Sequence, residues 1–308
     1  MKLNKEEYQS VVKTVISNRN VFMGIAIVMV VLYHYNTGLS FQKLFYPGFL
    51  GVDIFLFFSG YGLCRSYETH SLLDFYKRRF IRILPMFLFL AIVKCSLYTA
   101  TEGNLSLIDW ICSLTTLSYW GVGGIFVDWY LCGLMLLYIL FPILYVLPYL
   151  GGAILSVVLL TIAIAFNLDW TYQCLIERIP IFLVGIFCYR YDETKVMKDT
   201  LIWFMVAFMI MIPLLYKHIV HTYTLIYTLA PFIILCIGAV LRMRMANREL
   251  ELLKILGKYS LEIYITNCIV MKLVSYKWMV MPSVMYWALI FLLTPIIIKM
   301  NQFFASRI

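Results

Sequence analysis

The sequence has few charged residues and no long hydrophilic region. Asp, Glu, Lys and Arg make up 13% of its 308 residues, whereas hydrophobic residues make up 63%. An ordinary soluble domain carries about twice that charged fraction, so the composition excludes this class. Apolar runs close to twenty residues long recur along the chain instead, and such runs are typical of membrane-spanning helices.

The cysteines and histidines do not form a metal or redox motif. The eight cysteines occur singly, without a Cys-x-x-Cys pair, and the four histidines lack the spacing that closes a zinc site. We therefore expect no metal, and we interpret the cysteines as small, buried, reduced side chains.

The net charge of +9 does not indicate nucleic acid, because the basic residues form short clusters between apolar runs. The positive-inside rule explains this distribution when both termini are cytoplasmic. The basic clusters of residues 2–19, 65–82, 190–198, 242–258 and 299–307 are then inside. The outer loops carry Lys43, Arg178, Lys217 and Lys277.

We predict an all-α fold, a polytopic transmembrane helix bundle with N- and C-termini cytoplasmic. It has about ten spans, at residues 21–36, 49–64, 81–99, 129–147, 152–168, 179–190, 201–215, 223–241, 259–274 and 285–298. Residues 107–120 are apolar but short, and a crossing there would put the Arg190 and Arg242 clusters outside. We expect them to be half-inserted or interfacial on the outer side.

The whole chain, residues 1–308, is predicted to be a single integral membrane domain. Residues 1–20 form a cytoplasmic N-terminal segment without a cleavable signal pattern, and we expect no appended soluble domain. Membrane lipid is an expected partner, nucleic acid is not, and a homodimer is left open. Any catalysis must come from side chains on the helices.

Two ionisable residues are expected at similar depth in the first two spans. His34 ends the first apolar run, and Asp53 begins the second near the same outer boundary. Together they would form a pair in which Asp53 fixes the tautomer of His34 and raises its basicity. The structural alternative is a histidine that donates to a carbonyl and an aspartate that caps a helix.

Arg79 and Arg82 are three residues apart and therefore share one helix face where the third span leaves the cytoplasm. Two guanidinium groups in this position suit phosphate oxygens. The same residues also fit a topology signal that contacts anionic lipid headgroups.

Further polar residues begin spans from the outer side. Glu177 and Arg178 are expected either to pair with each other or to face a polar acceptor. Asp128 precedes Trp129, whose aromatic ring also fits the interfacial belt of a membrane protein.

Together these features resemble the acyltransferase-three family of integral membrane acyltransferases. The resemblance lies in six stretches that follow the family's order: GIAIVMVVLYH (24–34), GVDIFLFFSGY (51–61), FYKRRFIRILP (75–85), WYLCGLMLLYILFP (129–142), RIPIFLVG (178–185) and LGKYSLEIY (256–264). It implies a multi-pass protein of a bacterial plasma membrane. Its activity would be transfer of an acyl group, commonly acetyl, from cytoplasmic acyl-CoA to a hydroxyl of a cell-surface or exported saccharide.

The resemblance also implies roles for individual residues. His34 would be the catalytic histidine, and from their matched depth we expect it to act as general base with Asp53 stabilising the imidazolium. Arg79 and Arg82 would form the R-x-x-R pair that holds the acyl-CoA (acetyl-CoA) donor. For the saccharide acceptor we expect contacts from Asp128, Trp129, Glu177 and Arg178.

The chain departs from the family pattern at two informative positions. Met23 stands where the family usually has Arg or Lys, and Arg19, one helical turn earlier, is our candidate for the missing donor contact. Asn267 stands where many members have a second histidine. An asparagine can hydrogen-bond there but cannot shuttle a proton near neutral pH.

A rival interpretation is a polytopic carrier or flippase for an anionic or lipid-linked substrate. His34 and Asp53 would then form a proton relay, and the arginines would bind the anion. Such a protein would be expected to show inverted repeats and paired broken helices, which the sequence does not. An inactive relative that serves as a partner subunit is a third interpretation.

Overall fold

The computed structural model describes residues 5–35, 40–166, 168–216, 226–243, 250–275 and 283–306, which contain helices and no β-strand. We number the α-helices in chain order: α1 Lys5–Ser17, α2 Arg19–His34, α3 Gly51–Thr69, α4 Leu72–Thr101, α5 Leu107–Leu114, α6 Trp129–Val146, α7 Tyr149–Ala165, α8 Trp170–Ile176, α9 Ile179–Arg190, α10 Glu193–Tyr216, α11 Ala230–Met243, α12 Glu251–Lys258, α13 Ser260–Ser275 and α14 Ser283–Ser306. Short 3-10 helices occupy Ser40–Leu50 and Leu117–Trp120. The predicted all-α fold is confirmed.

Six helical segments of the described residues are long and apolar enough to cross a membrane: Phe45–Thr69, Leu72–Thr101, Trp129–Val146, Trp170–Arg190, Glu193–Tyr216 and Met285–Phe304. A seventh is added if α1 and α2, which are bent by 76°, count as one span. The predicted number of ten is not confirmed. Some of the other predicted spans coincide with α7, α11 and α13, which have 17, 14 and 16 residues and are shorter than a typical span of about 20.

The described residues do not cover every prediction. The predicted spans at 21–36, 152–168 and 223–241 each extend beyond the described ranges, and Lys217 and Lys277 lie outside them as well.

The candidate spans differ in how much of their surface the protein itself covers. In the apolar window of Phe45–Thr69, 78% of the residues are buried, whereas the corresponding share is 11% for Glu193–Tyr216 and for Met285–Phe304. Large side chains such as Trp203 and Phe291 are exposed there. Their natural surroundings are lipid chains, and the protein is an integral membrane protein.

The chain forms two compact units. The first unit comprises Met1–Tyr33, Leu44–Thr69 and Phe141–Lys258, and the second unit comprises His34–Lys43, His70–Leu140 and Tyr259–Ile308.

The first unit is organised around the packing of α3 against α9. Gly60 and Gly185 bring the two backbones together, because an added Cβ would lie 2.2 Å from the Phe182 carbonyl oxygen at Gly60 and 2.1 Å from that of Phe57 at Gly185. Small residues commonly allow such close approach between membrane helices. These two glycines of the family-like stretches therefore have a packing role.

A second close approach in the first unit joins α2 to α12. An added Cβ at Gly24 would meet the carbonyl oxygen of Leu253 at 2.0 Å, and one at Gly257 would meet that of Asn20 at 1.9 Å. Each glycine therefore lies directly against the backbone of the other helix. Substitution by alanine at either position would force the helices apart.

The second unit contains α4, α5, α13 and α14 together with the start of α6. Helix α4 packs against both α13 and α14. Polar contacts also join α13 to α14, where the Asn301 side-chain amide donates to Glu262 at 2.6 Å. Interhelical hydrogen bonds of this kind hold membrane helices in register.

A compact loop in the second unit leads from α4 to α6. Ser106 caps α5 together with Asp109, and Asp109 also accepts from the backbone of Gly124 at 3.0 Å. Ser113 accepts from the backbone N–H of Ile125 at 2.9 Å. Helix α5 has eight residues, far fewer than a span requires, and the loop fixes the chain that enters α6.

Candidate active site

His34 lies at the C-terminal end of α2, half-buried in the second unit. Its Nδ1 is 2.8 Å from the side-chain nitrogen of Asn267 on α13. The Oδ1 of Asn267 in turn accepts a hydrogen bond from the Tyr286 hydroxyl of α14. Asn267 is fully buried, so the imidazole is held by a side chain that itself has little freedom.

The hydrogen-bond partner of Nδ1 determines where the ring proton lies. An amide nitrogen only donates, so in this arrangement Nδ1 accepts and neutral His34 carries its proton on Nε2. A half-turn of the Asn267 amide would present Oδ1 instead. It would then accept from Nδ1–H and leave the lone pair on Nε2.

Asp128 stands immediately before α6 and is 6% exposed. One carboxylate oxygen accepts from the Leu131 backbone N–H at 2.8 Å, and the other accepts from the Tyr264 hydroxyl at 2.8 Å. The Cys268 thiol lies 3.7 Å from that second oxygen. The expected role of Asp128 at an acceptor stays a prediction, but its carboxylate is firmly anchored.

One face of α13 carries the residues that contact both His34 and Asp128. Asn267 and Cys268 follow Tyr264 by three and four residues, so both lie on the same side of the helix as Tyr264. Two of them contact Asp128, and Asn267 contacts His34.

Lys94 on α4 is the charged residue that the sequence analysis missed. Its ammonium donates to the carbonyl oxygen of Val127, the residue before Asp128. Lys94 is close enough to both His34 and Asp128 to interact with them electrostatically. The sequence could have identified Lys94, since it lies within the predicted span at residues 81–99 and an ionisable residue within a span suggests function by default.

Arg79 and Arg82 lie on α4, as predicted, in the second unit. The guanidinium of Arg79 is half-buried, 5.9 Å from the ring centroid of Phe75, whereas Arg82 is exposed. Electrostatic contacts link Arg79 to Tyr138 and Arg82 to Tyr130, both on α6. The pair therefore belongs to the same unit as His34.

Asp53 and Arg178 form an ion pair in the first unit, with Nε of Arg178 3.6 Å from a carboxylate oxygen. The guanidinium also lies 4.1 Å from the ring centroid of Tyr227 and 5.9 Å from that of Phe49, and it donates to the Cys174 carbonyl. Asp53 and Arg178 are 1% and 2% exposed. The structure thus joins Asp53 to Arg178, whereas we expected it beside His34.

The other predicted site residues make contacts of their own. Glu177 is buried, accepts from Gln173 at 2.9 Å and is near enough to Asp53 of the same unit to interact with it electrostatically. Trp129 is half-buried with its ring 6.0 Å from that of Tyr130. A Cβ added at Gly62 of α3 would lie 3.7 Å from the guanidinium carbon of Arg19, so the Arg19 side chain packs against α3 at this glycine.

No group of three or more His, Cys, Asp or Glu side chains within the described ranges is arranged to hold a metal ion. The expected binding of acyl-CoA phosphates by the arginine pair of α4 stays a prediction.

Fold and site together define an integral membrane protein with a histidine-centred polar cluster in one of two helical units. The family model described as "Acyltransferase domain", that of the acyltransferase-three family, matches residues 20–298. The chain therefore belongs to the acyltransferase-three family, as the sequence stretches predicted. No curated protein and no solved structure matched the chain.

Proposed function

We propose that this membrane acyltransferase transfers an acetyl group from cytoplasmic acetyl-CoA to a hydroxyl of a cell-surface or exported saccharide, in a bacterial plasma membrane. Family membership supports an acyltransferase in general. The single observation that carries the more specific proposal is the composition of the second unit. It contains both the Arg79 and Arg82 helix and a histidine held by a buried asparagine.

The donor is proposed to bind through Arg79 and Arg82. Guanidinium groups bind phosphate oxygens in bidentate geometry, which suits the nucleotide end of coenzyme A. Helix α4 then continues from Arg82 to Lys94, twelve residues or about 18 Å further along its axis. An extended pantetheine arm is of comparable length, so the thioester would arrive where Lys94 and His34 lie. The expected donor contact of Arg19, which lies in the first unit, stays a prediction.

The proposed reaction uses His34 as general base through Nε2, in the tautomer whose Nδ1–H donates to Oδ1 of the turned Asn267 amide. The acceptor hydroxyl gives its proton to Nε2 while its oxygen attacks the thioester carbon, and the carbonyl oxygen takes the electron pair. When this intermediate collapses, the carbon–sulfur bond breaks and the sulfur takes the proton back from the imidazolium. The products are an O-acetyl ester, free coenzyme A and neutral His34.

The support for the imidazole comes from Asn267 and Tyr286, in place of the Asp53 that we expected from sequence. An amide can hold the ring in one orientation without adding a charge in the membrane. This division resembles the base and orienting group of other acyl-transfer enzymes.

The acceptor is proposed to bind near the start of α6, at Asp128 and Trp129. An aromatic face and a carboxylate are groups that suit a sugar. Arg178 contributes less to this proposal than we expected, because its guanidinium is already enclosed by Asp53 and two aromatic rings.

The test is whether the purified protein consumes acetyl-CoA. The protein is reconstituted in lipid nanodiscs with octyl β-D-glucoside as acceptor probe, free thiol is measured with a chromogenic disulfide, and O-acetylated product is measured by mass spectrometry. The double variant Arg79→Met/Arg82→Met is expected to raise KM for acetyl-CoA at least tenfold. Arg78→Met, an exposed arginine on the same helix, is the matched control and leaves KM unchanged.

Release of thiol by the wild type supports the acyltransferase and argues against the carrier, which leaves the thioester intact. Wild-type protein that neither releases thiol nor binds coenzyme A would overturn the proposed donor. Mass spectrometry of surface glycans from cells with and without the protein then identifies the natural acceptor.

A further inference from the structure

Lys94 is a cation within the candidate span Leu72–Thr101. A charged side chain is costly at this position, and a lysine near a helix end usually extends toward water. Here the ammonium instead donates to the carbonyl oxygen of Val127, a residue that is 1% exposed. The charge is therefore directed into the protein.

The charge of Lys94 is not neutralised by a direct ion pair with any described carboxylate. Asp128 is near enough to interact with it electrostatically, but its oxygens accept from Leu131, Tyr264 and the Cys268 thiol. Within the described part of the chain, Lys94 thus has a backbone carbonyl as its hydrogen-bond partner. An ammonium has three N–H donors, so this contact leaves donors for a further acceptor.

The position of Lys94 relates it to the proposed chemistry. Its helix packs against α13 and α14, which carry Asn267 and Tyr286, the two residues that hold His34, and its ammonium is close enough to His34 to interact with it electrostatically. It also lies about 18 Å along α4 from Arg82, on the path proposed for the donor's thioester arm.

We propose that Lys94 is a catalytic residue of the acyl transfer, whose ammonium binds the thioester carbonyl oxygen and stabilises the negative charge that develops there. This inference rests on the proposed function. As the acceptor oxygen bonds to the thioester carbon, the carbonyl electron pair moves to the oxygen, which becomes an anion beside the ammonium. On collapse the electron pair returns, the carbon–sulfur bond breaks and Lys94 keeps all its protons.

A cation beside the thioester carbonyl would stabilise the transition state of the proposed acyl transfer more strongly than a cation in water does. In a site with little solvent, a fixed positive charge stabilises a developing anion strongly and needs no reorganisation. Removal of one such donor costs about 10²–10³ in kcat in acyl-transfer enzymes. His34 cannot supply this charge early in the step, because as a base it begins neutral.

The competing explanation is that Lys94 only pins the Val127 carbonyl and so orders the entrance to α6. Three substitutions separate the two roles. Lys94→Gln keeps an N–H donor for the carbonyl but lacks the charge, Lys94→Arg keeps both, and Lys94→Met keeps neither. Lys272→Gln on α13 is the matched control, a half-buried lysine of the same unit.

The experiment measures kcat and KM for acetyl-CoA in nanodiscs, with octyl β-D-glucoside and water as acceptors, since thioester hydrolysis develops the same kind of oxyanion. We expect a fall in kcat of about 10²–10³ for Lys94→Gln and Lys94→Met, with KM for acetyl-CoA little changed and activity largely restored in Lys94→Arg. Thermal unfolding of each variant checks that the fold persists.

Lys94→Gln with wild-type kcat would overturn the catalytic role and favour the pinning role. A rise in KM with unchanged kcat would also overturn it, because the lysine would then bind the ground state. In both cases the wild type remains active, so the proposed function stands. If instead the wild type neither transfers nor hydrolyses acetyl-CoA, the proposed function itself fails.

Discussion

The two units each contain a buried polar cluster, and the clusters are built differently. In the first unit, Asp53 and Arg178 are 3.6 Å apart and neutralise each other, with aromatic rings against the guanidinium. In the second unit, His34 is held by the neutral amide of Asn267, and Lys94 by a backbone carbonyl.

We propose that this difference separates a structural role from a chemical one. An ion pair enclosed by rings has its charge satisfied within the protein, and its main effect is on packing. A histidine held by a neutral amide can gain a proton, and a lysine without a direct counter-charge can bind an anion. Ionisable residues within spans are functional candidates by default, but their partners decide which of them remain candidates.

The largest expected effect comes from breaking the second cluster at His34. His34→Gln removes the proposed general base, and we expect kcat for the proposed acetyl transfer to fall by about 10²–10⁴. The unfolding temperature should change little, because the side chain is half-buried at a helix end. Thiol release at saturating acetyl-CoA measures the loss.

His70→Gln is the control for this substitution, since His70 lies between helices α3 and α4. It should retain the wild-type rate. Transfer at the wild-type rate by His34→Gln would show that the second cluster is not the reactive one.

Substitutions in the first cluster, Asp53 and Arg178, should change the stability of the fold and leave the rate of acetyl transfer unchanged. Arg178→Met leaves the Asp53 carboxylate buried without its counter-charge, and breaking a buried pair in this way costs about 3–5 kcal/mol. The double variant Asp53→Leu/Arg178→Met replaces both charges with apolar groups, which is often neutral or stabilising. Thermal unfolding in nanodiscs measures both variants.

We expect the double variant to recover most of the lost stability and to transfer acetyl at close to the wild-type rate. A double variant that unfolds like the wild type but has lost transfer would contradict the comparison, because Asp53 or Arg178 would then act in the chemistry.

The sequence was sufficient for the fold class and for the family. Long apolar runs and few charges predicted an all-α membrane bundle, which is confirmed. The number of spans was harder to predict, because an apolar run does not show where its helix ends. Helices α7, α11 and α13 have 17, 14 and 16 residues, fewer than the roughly 20 of a typical span. Gly60 and Gly185 were recognised as family-like, but only coordinates reveal their contact with the opposite backbone.

For the candidate site, the sequence predicted several of the residues but not the side chains that they contact. Depth along the spans suggested His34 with Asp53, and Arg178 was placed near Glu177. The depth of a residue along its span does not determine the rotation of the helix about its axis. This rotation decides which neighbouring helix the side chain contacts. In the structure His34 forms a hydrogen bond with Asn267, a residue that we had treated as a departure from the family pattern.

A smaller effect is expected from changing the partner of His34. Asn267→Leu removes a hydrogen bond whose net worth is about 0.5–1.5 kcal/mol, so kcat should fall up to about tenfold. Asn267→Asp should preserve more activity, because a carboxylate accepts from Nδ1–H and leaves the lone pair on Nε2. Steady-state rates of thiol release compare the two variants.

Asn301→Leu is the matched control, since this amide also donates to a side chain of the second unit but contacts Glu262. It should leave kcat unchanged. A greater loss for Asn267→Asp than for Asn267→Leu would show that Nδ1 must accept a hydrogen bond, and would move the base away from Nε2.

The smallest effect concerns the loop that leads into Asp128. Hydrogen bonds from Ser106 and from the Gly124 backbone lower the pKa of Asp109 below its usual value. A lowered pKa in the folded state means that the ionised carboxylate stabilises the fold above the usual pKa of about 3.9. This contribution is lost as the pH falls through the lowered value. Asp109→Asn should therefore unfold at a slightly lower temperature than the wild type near pH 7, and the two should converge under acid.

Asp169 provides the comparison between units, because its pKa is also lowered, by the backbone N–H and hydroxyl of Thr171 at the start of α8. Asp169→Asn should show the same convergence in thermal unfolding between pH 7 and pH 3. At pH 7 it should leave kcat unchanged, whereas Asp109→Asn should lower kcat slightly, because Asp109 orders the chain that positions Val127 and Asp128. Equal effects of the two variants on kcat would mean that this loop does not contribute to the second cluster.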